Sequence, residues 1–463
     1  MLRAAYTLLL RLLLPIVGAV FWWRGRRNPA LRVDLRERLG HGSLREGPQP
    51  IWIHAVSVGE VQAAAGLLSL LAVRDPRRPL LLTMATATGR RRAEDLFREA
   101  PSAPRIELRY APFDLPGAAT RFLQRERPCA AIFLETELWP NLLAACERRQ
   151  VPVALVSARL SERSLSRYRS FAPRLMRGAL RGLALIAAQS DADATRFILL
   201  GAPETRVHVA GNVKFDFALP SDLGARAASL RERWLGSRRA WVAGSTHAGE
   251  EEQLLEAHRR LLAAWPGAGG RSAMPLLVLV PRHPERFAAV AQWLAREGVP
   301  FARRSESDVR QGDDTQVLLV DTLGELLAFY ACGEVAYVGG SLVPIGGHNL
   351  LEPAVLGLPI LTGPNNFNSP EAARMLSACG ALEIIRDATG LAAALLRLFT
   401  DDIEATRRGA AGREQVLQNR GAAARSVELL RGVLPPVLDR TAPTASAAAD
   451  PVLAPGRRPS ASG

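Results

Sequence analysis

The segment that decides the fold reads IWIHAVSV at residues 51–58, GE at 59–60 and VQAAAGLLSLLA at 61–72. The first part is short and mostly apolar, which predicts a strand that is buried on both faces. Gly59 permits a tight turn, and the third part places its apolar residues at helical spacing. A buried strand that leads directly into a helix is typical of parallel sheets covered by helices on both faces.

The same alternation extends through most of the chain, with amphipathic stretches such as 250–264 and 284–296 between short apolar runs. The first set of predicted strands lies at 51–58, 80–83, 130–134, 153–156, 184–188 and 207–210. The second set lies at 241–243, 276–280, 317–320, 335–338 and 359–361. We therefore predict an α/β protein with two doubly wound, Rossmann-like domains that face each other across a cleft and bind ligands beyond the carboxyl ends of their strands.

Changes in composition along the chain set the predicted boundaries. Residues 217–236 interrupt the alternation and are predicted to link the two domains, and the Ala/Pro/Ser-rich end is predicted to be disordered. The predicted parts are an N-terminal anchor at 1–30, a first domain at 31–216, a linker at 217–236, a second domain at 237–440 and a tail at 441–463.

Composition and charge exclude several classes of protein. The 463 residues are 48% hydrophobic and 22% charged, as in a globular protein. The four cysteines lie far apart, which argues against a disulfide-stapled secreted protein and against a zinc module. The net charge of +14 favours anionic partners, and half of it falls within the first 45 residues. No basic stretch is interleaved with aromatic residues, so we expect no nucleic acid as a partner.

The N-terminus is predicted to attach to a membrane. Residues 6–23 are apolar except for Thr7 and Arg11, they end in the aromatic residues 21–23, and an arginine cluster follows at 24–27. Aromatic residues suit the bilayer interface, and arginines suit the cytoplasmic side. A signal peptide usually carries its positive charge before the apolar stretch, so we favour a retained anchor or an interfacial helix. A cleaved signal peptide and a buried core helix remain as alternatives.

Three motifs in the first half carry candidate functional groups at strand ends. Glu60 falls in the first turn of a helix, where the helix dipole stabilises a carboxylate by about 0.3–1 kcal/mol. It is therefore either an ordinary first-turn acid or a general base, which the dipole would keep ionised but weaken. Glu135 and Glu137 follow a strand directly; one is expected to position a hydroxyl or a partner residue, and the other to cap a helix that starts near Trp139.

Lys214 lies in GNVKFD at 211–216, and it is the single lysine of a chain that otherwise uses arginine. A compact ammonium group differs from a planar guanidinium, which suggests a charge-neutralising role beside a carboxylate or phosphate. The alternative is that one lysine remains by chance.

The motifs of the second half suggest an anion site. Ser245 or Thr246 is expected to cap the helix that contains Glu250, with backbone N–H groups free to bind an anion. Arg282 follows a strand and is placed to hold a phosphate bidentately, whereas the neighbouring His283 is given no catalytic role.

The glycine-rich stretch GGSLVPIGGHNLLEP at 339–353 follows a strand and leads into a helix, so its backbone is expected to approach a phosphate. Glu352 lies one helical turn in, where it is expected to accept ribose hydroxyls. The stretch matches neither a Walker A loop nor GxGxxG, which weakens ATPase and dinucleotide-binding interpretations. DTLGEL at 321–326 is another strand-to-helix junction at the same end of the predicted sheet.

Together these segments resemble the 3-deoxy-D-manno-octulosonic acid (Kdo) transferases of lipopolysaccharide synthesis. The resemblance covers nearly all of the predicted folded chain, because nine stretches match in order: HAVSVGE, LETELWPNL, ARLSERS, GNVKFD, STHAGEE, LVPRHPERF, DTLGEL, GGSLVPIGGHNLLEP and GPNNFN. It implies an inverting glycosyltransferase of GT-B architecture that needs no metal or cofactor. The first domain would take the lipid A precursor (lipid IVA), and the second would take CMP-Kdo, at the cytoplasmic face of the inner membrane with a single N-terminal anchor.

The resemblance also implies roles for individual residues. Glu60 would be the proton acceptor, and Glu135 and Lys214 would stabilise the transition state. The residues that would contact CMP are Pro281, Arg282, Leu323, Gly324, Glu325, Asn349, Leu350, Leu351 and Glu352. The alternatives are another GT-B enzyme of sugar nucleotides, such as a UDP-sugar lipid glycosyltransferase or an epimerase, and a non-enzymatic basic protein of the membrane surface.

Overall fold

The computed structural model describes residues 2–27, 35–98, 106–217, 219–266, 274–306 and 314–434. These residues form two compact units, of which the first contains 2–217 with 419–434 and the second contains 219–418. The predicted disordered tail at 441–463 lies outside the described residues.

The first unit is a seven-stranded parallel sheet in the order β3-β2-β1-β4-β5-β6-β7. Its strands are β1 Ile51–His54, β2 Leu80–Met84, β3 Ile106–Tyr110, β4 Ala130–Leu134, β5 Val153–Ala158, β6 Leu185–Ala188 and β7 Val207–Val209. Its helices before β4 are α1 Leu2–Arg27, α2 Leu35–Arg38, α3 Val58–Arg74, α4 Ala87–Arg98 and α5 Pro116–Glu126. Those after β4 are α6 Pro140–Arg148, α7 Glu162–Phe171, α8 Pro173–Arg181 and α9 Asp191–Leu200, with 3₁₀ turns at Glu204–Arg206 and Val213–Asp216.

Both faces of this sheet are buried, as its continuous apolar runs require. Along β1, Ile51 and Ile53 join one hydrophobic core and Trp52 joins the other, because successive side chains of a strand point to opposite faces. The amphipathic helix α3 covers the first face with residues such as Leu67.

The second unit repeats this design with the strand order β10-β11-β9-β8-β12-β13-β14, again all parallel. Its strands are β8 Ala240–Thr246, β9 Leu276–Pro281, β10 Phe301–Arg303, β11 Val317–Leu319, β12 Val335–Val338, β13 Ile360–Thr362 and β14 Leu382–Ile384. Its first helices are α10 Leu223–Leu230 with a π turn at Arg231–Leu235, α11 Glu251–Ala263, a 3₁₀ turn at Pro284–Arg286, α12 Phe287–Arg296 and α13 Leu326–Cys332. They are followed by α14 Leu351–Val355, α15 Pro370–Ala378, α16 Ala388–Thr400 and α17 Asp402–Gln418. The last of the described helices is α18 Ala422–Leu430, which belongs to the first unit.

Each predicted strand is present, but the first one is shorter than the predicted 51–58. It ends at His54, because Ser57 accepts a hydrogen bond from the backbone N–H of Glu60 and caps a helix that begins at Val58. Three strands, β3, β10 and β14, have no counterpart in the prediction. All three are edge strands, which are paired on one side only and therefore need no continuous apolar run.

Two parts of the chain lie elsewhere than their position in the sequence indicates. The helix α18 packs Ala423 and Val427 into the core of the first unit, although the predicted second domain ran to residue 440. The predicted linker 217–236 contains α10, and its Trp234 is buried in the core of the second unit. Both segments are amphipathic, and local sequence does not say which sheet buries them.

The N-terminal helix α1 is a single helix, and its segment Leu2–Val20 is long and apolar enough to cross a membrane. Its described side chains are exposed or half-buried, so α1 is not a core helix. The side chains of the predicted interfacial residues Phe21 and Trp22 lie outside the description.

Candidate active site

The first sheet places the candidate groups of the N-terminal unit at one edge. Glu60 follows β1, and Glu135 and Glu137 follow β4, which is the direct neighbour of β1. The carboxyl ends of parallel strands lie at the same edge of a sheet, where ligands of such folds bind. The order of the strands therefore brings together acids that are 75 or more residues apart in the sequence.

Glu60 is held in one orientation at the start of α3. The backbone N–H of Val56 donates to its Oε2 at 2.8 Å, and the hydroxyl of Ser57 donates to its Oε1 at 2.8 Å. In return, Ser57 Oγ accepts from the backbone N–H of Glu60 at 3.3 Å. This arrangement is a variant of the capping box, and it fixes the carboxyl group of a residue that is only 6% exposed.

The electrostatic surroundings of Glu60 favour its protonated form more than an exposed position would. The pKa of Glu60 is raised to about 7, mainly by burial and further by the nearby carboxylates of Glu137 and Glu135. The hydrogen bonds from Val56 and Ser57 lower the pKa, but by less. The predicted stabilisation of the ionised form by the helix dipole is therefore outweighed. A carboxyl group with a pKa near the working pH is suited to general base catalysis.

Glu135 and Glu137 part at the end of β4. The strand ends at Leu134 and Glu135 takes a left-handed φ of +57°, so the two side chains do not share a face. The carboxylate of Glu135 forms an ion pair with the ammonium group of Lys214. Glu137 instead accepts a hydrogen bond from the indole N–H of Trp139 at 2.6 Å, and burial raises its pKa.

Neither of these acids caps the helix that begins after Trp139, so that prediction is wrong. The carboxylate of Asp114 accepts from the backbone N–H groups of Asn141 at 3.4 Å and Leu142 at 2.7 Å at the start of α6. Both acids after β4 are thus left for other contacts.

Lys214 is positioned by a buried polar network. The side-chain oxygen of Asn212 accepts from the backbone N–H of Lys214 at 3.0 Å, which starts the 3₁₀ turn Val213–Asp216. The amide of Asn212 donates to Gln189 at 3.3 Å, and Gln189 donates to the backbone oxygen of Ser157 at 3.0 Å. Ser157 also has a left-handed φ, of +53°. Such backbone conformations persist where surrounding contacts hold them, often at functional sites.

In the second unit, the predicted nucleotide-binding residues lie at or after the ends of β9, β11 and β12, at the carboxyl edge of the second sheet. Pro281, the last residue of β9, is buried, and Arg282, which follows it, is exposed. After β11, Leu323 and Gly324 are exposed, and Glu325 accepts a hydrogen bond from Arg304 at 2.8 Å.

After β12, the start of α14 is organised by Asn349. Its Oδ1 accepts from the backbone N–H of Leu351 at 3.1 Å, and its Nδ2 donates to Glu352 at 3.0 Å. Leu350 and Leu351 are buried, whereas Asn349 is exposed.

The first N–H groups of the glycine-rich turn after β12 are bound by a side chain of the protein. The buried carboxylate of Glu250 accepts from the backbone N–H groups of Gly340 at 2.7 Å, Ser341 at 3.0 Å and Leu342 at 3.0 Å. It also accepts from the hydroxyl of Tyr337 at 3.0 Å. The concave backbone of this turn therefore binds an anion supplied by the protein itself.

The same region corrects a predicted cap. The helix α11 begins at Glu251 without a side-chain cap, so the prediction that Ser245 or Thr246 caps it is wrong. The hydroxyl of Thr246 donates to the carboxylate of Glu251 at 2.9 Å instead.

A pair of histidines lies beside this turn. The Nε2 atoms of His247 and His348 are 2.7 Å apart, and the two rings are parallel, with centroids 5.0 Å apart. Two nitrogens at this distance form a hydrogen bond only if one is a donor and the other an acceptor. The Nε2 of at least one ring therefore carries no proton. Burial lowers the pKa of His348 to about 4. His283 contacts the ring of His247 edge-on, with centroids 5.2 Å apart.

Comparison with known proteins identifies the family. The family model of 3-deoxy-D-manno-octulosonic-acid transferase (kdotransferase) matches residues 33–217. A 3-deoxy-D-manno-octulosonic acid transferase of Haemophilus influenzae is 39% identical over 93% of this chain and 99% of its own length. The corresponding protein of Bordetella pertussis is 38% identical over 92% of this chain and 98% of its own length.

The chain belongs to the Kdo transferase family. It is therefore a glycosyltransferase of lipopolysaccharide synthesis, and the resemblance inferred from nine sequence stretches is confirmed. A solved UDP-GlcNAc 2-epimerase of Neisseria meningitidis bound to UDP-GlcNAc covers 83% of this chain and 100% of its own length, with a TM-score of 0.54 and 14% identity. At that identity the likeness shows the fold alone, and it confirms the predicted α/β class of GT-B type.

In the structure of this Kdo transferase, two features near the candidate residues were not predicted from the sequence. The anion that occupies the glycine-rich turn is Glu250, and the histidine pair joins His247 to His348 across about 100 residues. Each motif was visible in the sequence, but nothing in it showed that the two motifs meet. The roles predicted for Glu60, Glu135 and Lys214 and for the CMP-binding residues stay predictions.

Proposed function

We propose that this Kdo transferase moves Kdo from CMP-Kdo to a lipid A precursor, lipid IVA, with inversion at the anomeric carbon and with Glu60 as general base. The first unit takes the acceptor and the second unit takes the donor. The observation that carries the proposal is the buried carboxyl group of Glu60, whose pKa is raised to about 7 beside the Glu135–Lys214 ion pair.

In the proposed step, an acceptor hydroxyl loses its proton to the carboxylate of Glu60 as its oxygen attacks the anomeric carbon of Kdo. The new C–O bond forms as the bond between that carbon and the phosphate oxygen breaks, and CMP leaves with both electrons of that bond. A sugar hydroxyl is a weak nucleophile, and a positioned base typically contributes 10²–10⁴-fold to such a step.

Lys214 and Glu135 act on the charges that change during this step. The ammonium group of Lys214 is held in place by its ion pair with the carboxylate of Glu135. The transition state resembles an oxocarbenium ion at the donor sugar, so fixed charges that need no reorganisation stabilise it.

The second unit is proposed to bind CMP through residues at the carboxyl edge of its sheet. Arg282 is exposed and can form a bidentate contact with the phosphate, and the carboxylate of Glu352 can accept ribose hydroxyls. The full proposed set is Pro281, Arg282, Leu323, Gly324, Glu325, Asn349, Leu350, Leu351 and Glu352. The enzyme is proposed to act at the cytoplasmic face of the inner membrane, where its lipid acceptor lies, with α1 as its single membrane attachment.

The test uses the purified full chain, CMP-Kdo and tetra-acylated lipid A precursor, with products weighed by mass spectrometry. We expect Glu60→Gln to lower turnover by about 10²–10⁴-fold, while calorimetry shows unchanged CMP binding. The matched control is Glu204→Gln, which removes an exposed acid of the same unit and should leave turnover unchanged.

Each part of the proposal has its own contrary result. Turnover of Glu60→Gln within a few-fold of the unmodified chain would contradict the general base. Retention of anomeric configuration in the product, read by NMR, would contradict direct displacement. Saturable binding of a UDP-sugar without binding of CMP would contradict the donor.

A further inference from the structure

The N-terminal helix α1 is attached to the first unit near its own N-terminus. The hydroxyl of Tyr6 donates to Oδ2 of Asp114 at 2.8 Å, and Oγ1 of Thr7 lies 3.0 Å from Oδ1 of Asn141. Asp114 and Asn141 are themselves fixed at the start of α6, since Asn141 Nδ2 donates to the backbone oxygen of Asp114 at 2.8 Å. The start of α1 is thus tied to an ordered part of the domain.

The side chains of α1 divide into two faces. Those on one face are half-buried and recur at helical spacing: Tyr6, Thr7, Leu10 and Leu14. The large apolar side chains on the other face are exposed: Leu8, Leu9, Leu12, Leu13, Ile16, Val20 and Trp23. A continuous exposed apolar face of this length marks a surface that is covered by a membrane or by another protein.

A spanning orientation conflicts with these contacts. The hydrocarbon core of a bilayer is about 30 Å thick, and a helix of about 20 residues is needed to cross it. If Leu2–Val20 crossed the membrane, Tyr6 and Thr7 would lie near the surface opposite to the folded domain, which continues from Leu35. Arg11 would then lie within the hydrocarbon, where an unpaired charge is strongly unfavourable.

Positive charge is concentrated on helices next to α1. α1 packs against α6 and α8. The neighbouring pair of helices, α7 and α8, carries six arginines and one acid within 162–181. All six arginines are exposed: 163, 167, 169, 174, 177 and 181. Phe171, the last residue of α7, is 84% exposed. An apolar helix beside a cationic patch with an exposed aromatic residue is complementary to an anionic bilayer surface.

We propose that α1 lies in the plane of the membrane, with its apolar face in an anionic leaflet and the α7–α8 arginines on the headgroups of the same leaflet, and that it does not span the bilayer. The inference rests on the membrane association proposed above. It adds that both ends of α1 stay on the cytoplasmic side, which holds the domain flat against the surface that carries its lipid acceptor.

The first experiment reports the side on which the start of α1 lies. The four native cysteines at positions 129, 146, 332 and 379 are replaced, and a single cysteine is introduced by Ala4→Cys or, as control, by Leu44→Cys. Leu44 is 70% exposed on the folded domain and reports the cytoplasmic side in either orientation. A membrane-impermeant maleimide is then applied to bacterial spheroplasts and to inverted inner-membrane vesicles.

We expect both cysteines to react in inverted vesicles and neither to react in spheroplasts. Reaction of position 4 in spheroplasts, or protection of position 4 on both sides, would overturn the in-plane orientation while leaving the membrane association intact. Absence of the unmodified chain from the membrane fraction would overturn both.

The second experiment measures binding of the purified full chain to vesicles of phosphatidylcholine with or without phosphatidylglycerol. We expect binding only with the anionic lipid, and Arg174→Glu to weaken it by about fivefold or more. The control, Arg77→Glu, removes an exposed arginine on the loop between α3 and β2 and should weaken binding less than twofold. Equal weakening by the two variants, or a stable dimer that leaves α1 covered and the vesicles unbound, would overturn the proposed surface.

Discussion

The buried carboxyl group of Glu60 predicts how the rate of transfer depends on pH. A general base acts in its ionised form, so kcat/KM should rise with pH and level off above the pKa of Glu60. With a pKa of about 7, about half of the groups are ionised at pH 7 and about a tenth at pH 6. We therefore expect a rate at pH 6 of about one-tenth of the plateau.

The substitution Glu137→Gln tests whether the neighbouring carboxylate contributes to the raised pKa of Glu60. After burial, the carboxylate of Glu137 is the largest cause that raises the pKa of Glu60, so its removal should move the rise in rate to lower pH. The movement should be smaller than the distance from 7 to the ordinary value of 4.5, because burial remains. Glutamine keeps an oxygen that can accept the hydrogen bond from Trp139.

The assay is kcat/KM between pH 5 and 9, each profile normalised to its own plateau, so that any general loss of rate in the variant does not matter. Glu204→Gln is the control, and its pH profile should match that of the unmodified enzyme. Any effect of the ionisation of substrate phosphates on the rate is then the same in both profiles. An unchanged profile for Glu137→Gln would refute the link between the two carboxyl groups, and a rise well below pH 6 in the unmodified enzyme would refute Glu60 as a base of raised pKa.

The ionisation of Glu60 also affects the free energy of unfolding. Whether stability rises or falls with pH follows from the direction in which the pKa of Glu60 is shifted. The folded pKa of about 7 lies above the ordinary 4.5, so the contribution of Glu60 is fully present below pH 4.5 and is lost as the pH rises through 7. The loss amounts to at most about 3 kcal/mol. Urea denaturation should therefore show a smaller decrease between pH 4.5 and 8 for Glu60→Gln than for the unmodified chain, and identical decreases would count against the raised pKa.

Three further outcomes are expected. Lys214→Arg should lower kcat by at least about tenfold although the charge is kept, because a planar guanidinium cannot take the place of the compact ammonium group beside Glu135. A near-normal kcat would contradict a special role for this lysine. Glu250→Gln should destabilise the second unit by about 3 kcal/mol in urea denaturation, because the carboxylate of Glu250 accepts hydrogen bonds from several backbone N–H groups. The control Glu252→Gln changes an exposed neighbouring residue and should have little effect. Equal effects of the two variants would refute the anchoring of the turn by Glu250. His348 should stay neutral between pH 5.5 and 8, because burial holds its pKa at about 4, so an NMR titration of its ring in that range would contradict the buried pair.

Much of the fold was predictable because its central strands are buried on both faces and therefore appear as apolar runs. β4 and β12 have the predicted bounds, and the other predicted strands differ mainly at their ends. The edge strand β3 reads IELRY and alternates apolar with charged residues, so it lacks that signal. Helix ends depend on single hydrogen bonds such as that of Ser57, and the apolar pattern does not reveal them.

The site divides in the same way. Glu60, Glu135 and Arg282 were recognisable because polar residues that directly follow apolar runs must lie at the carboxyl edge of a parallel sheet. The partner of each group was not recognisable. The backbone N–H groups after β12 could equally have received a phosphate, and only the fold shows that Glu250, about 90 residues earlier, already occupies them.

By itself, the sequence determined the α/β class, the family and the edge of each sheet that carries the polar motifs, because these depend on local patterns of strand, turn and helix. The tertiary structure alone decided the order of the strands, the raised pKa of Glu60 and the attachment of α1 through Tyr6. Each of these depends on burial or on contacts between residues far apart in the chain, and their strength is set by distance in space rather than by separation in sequence.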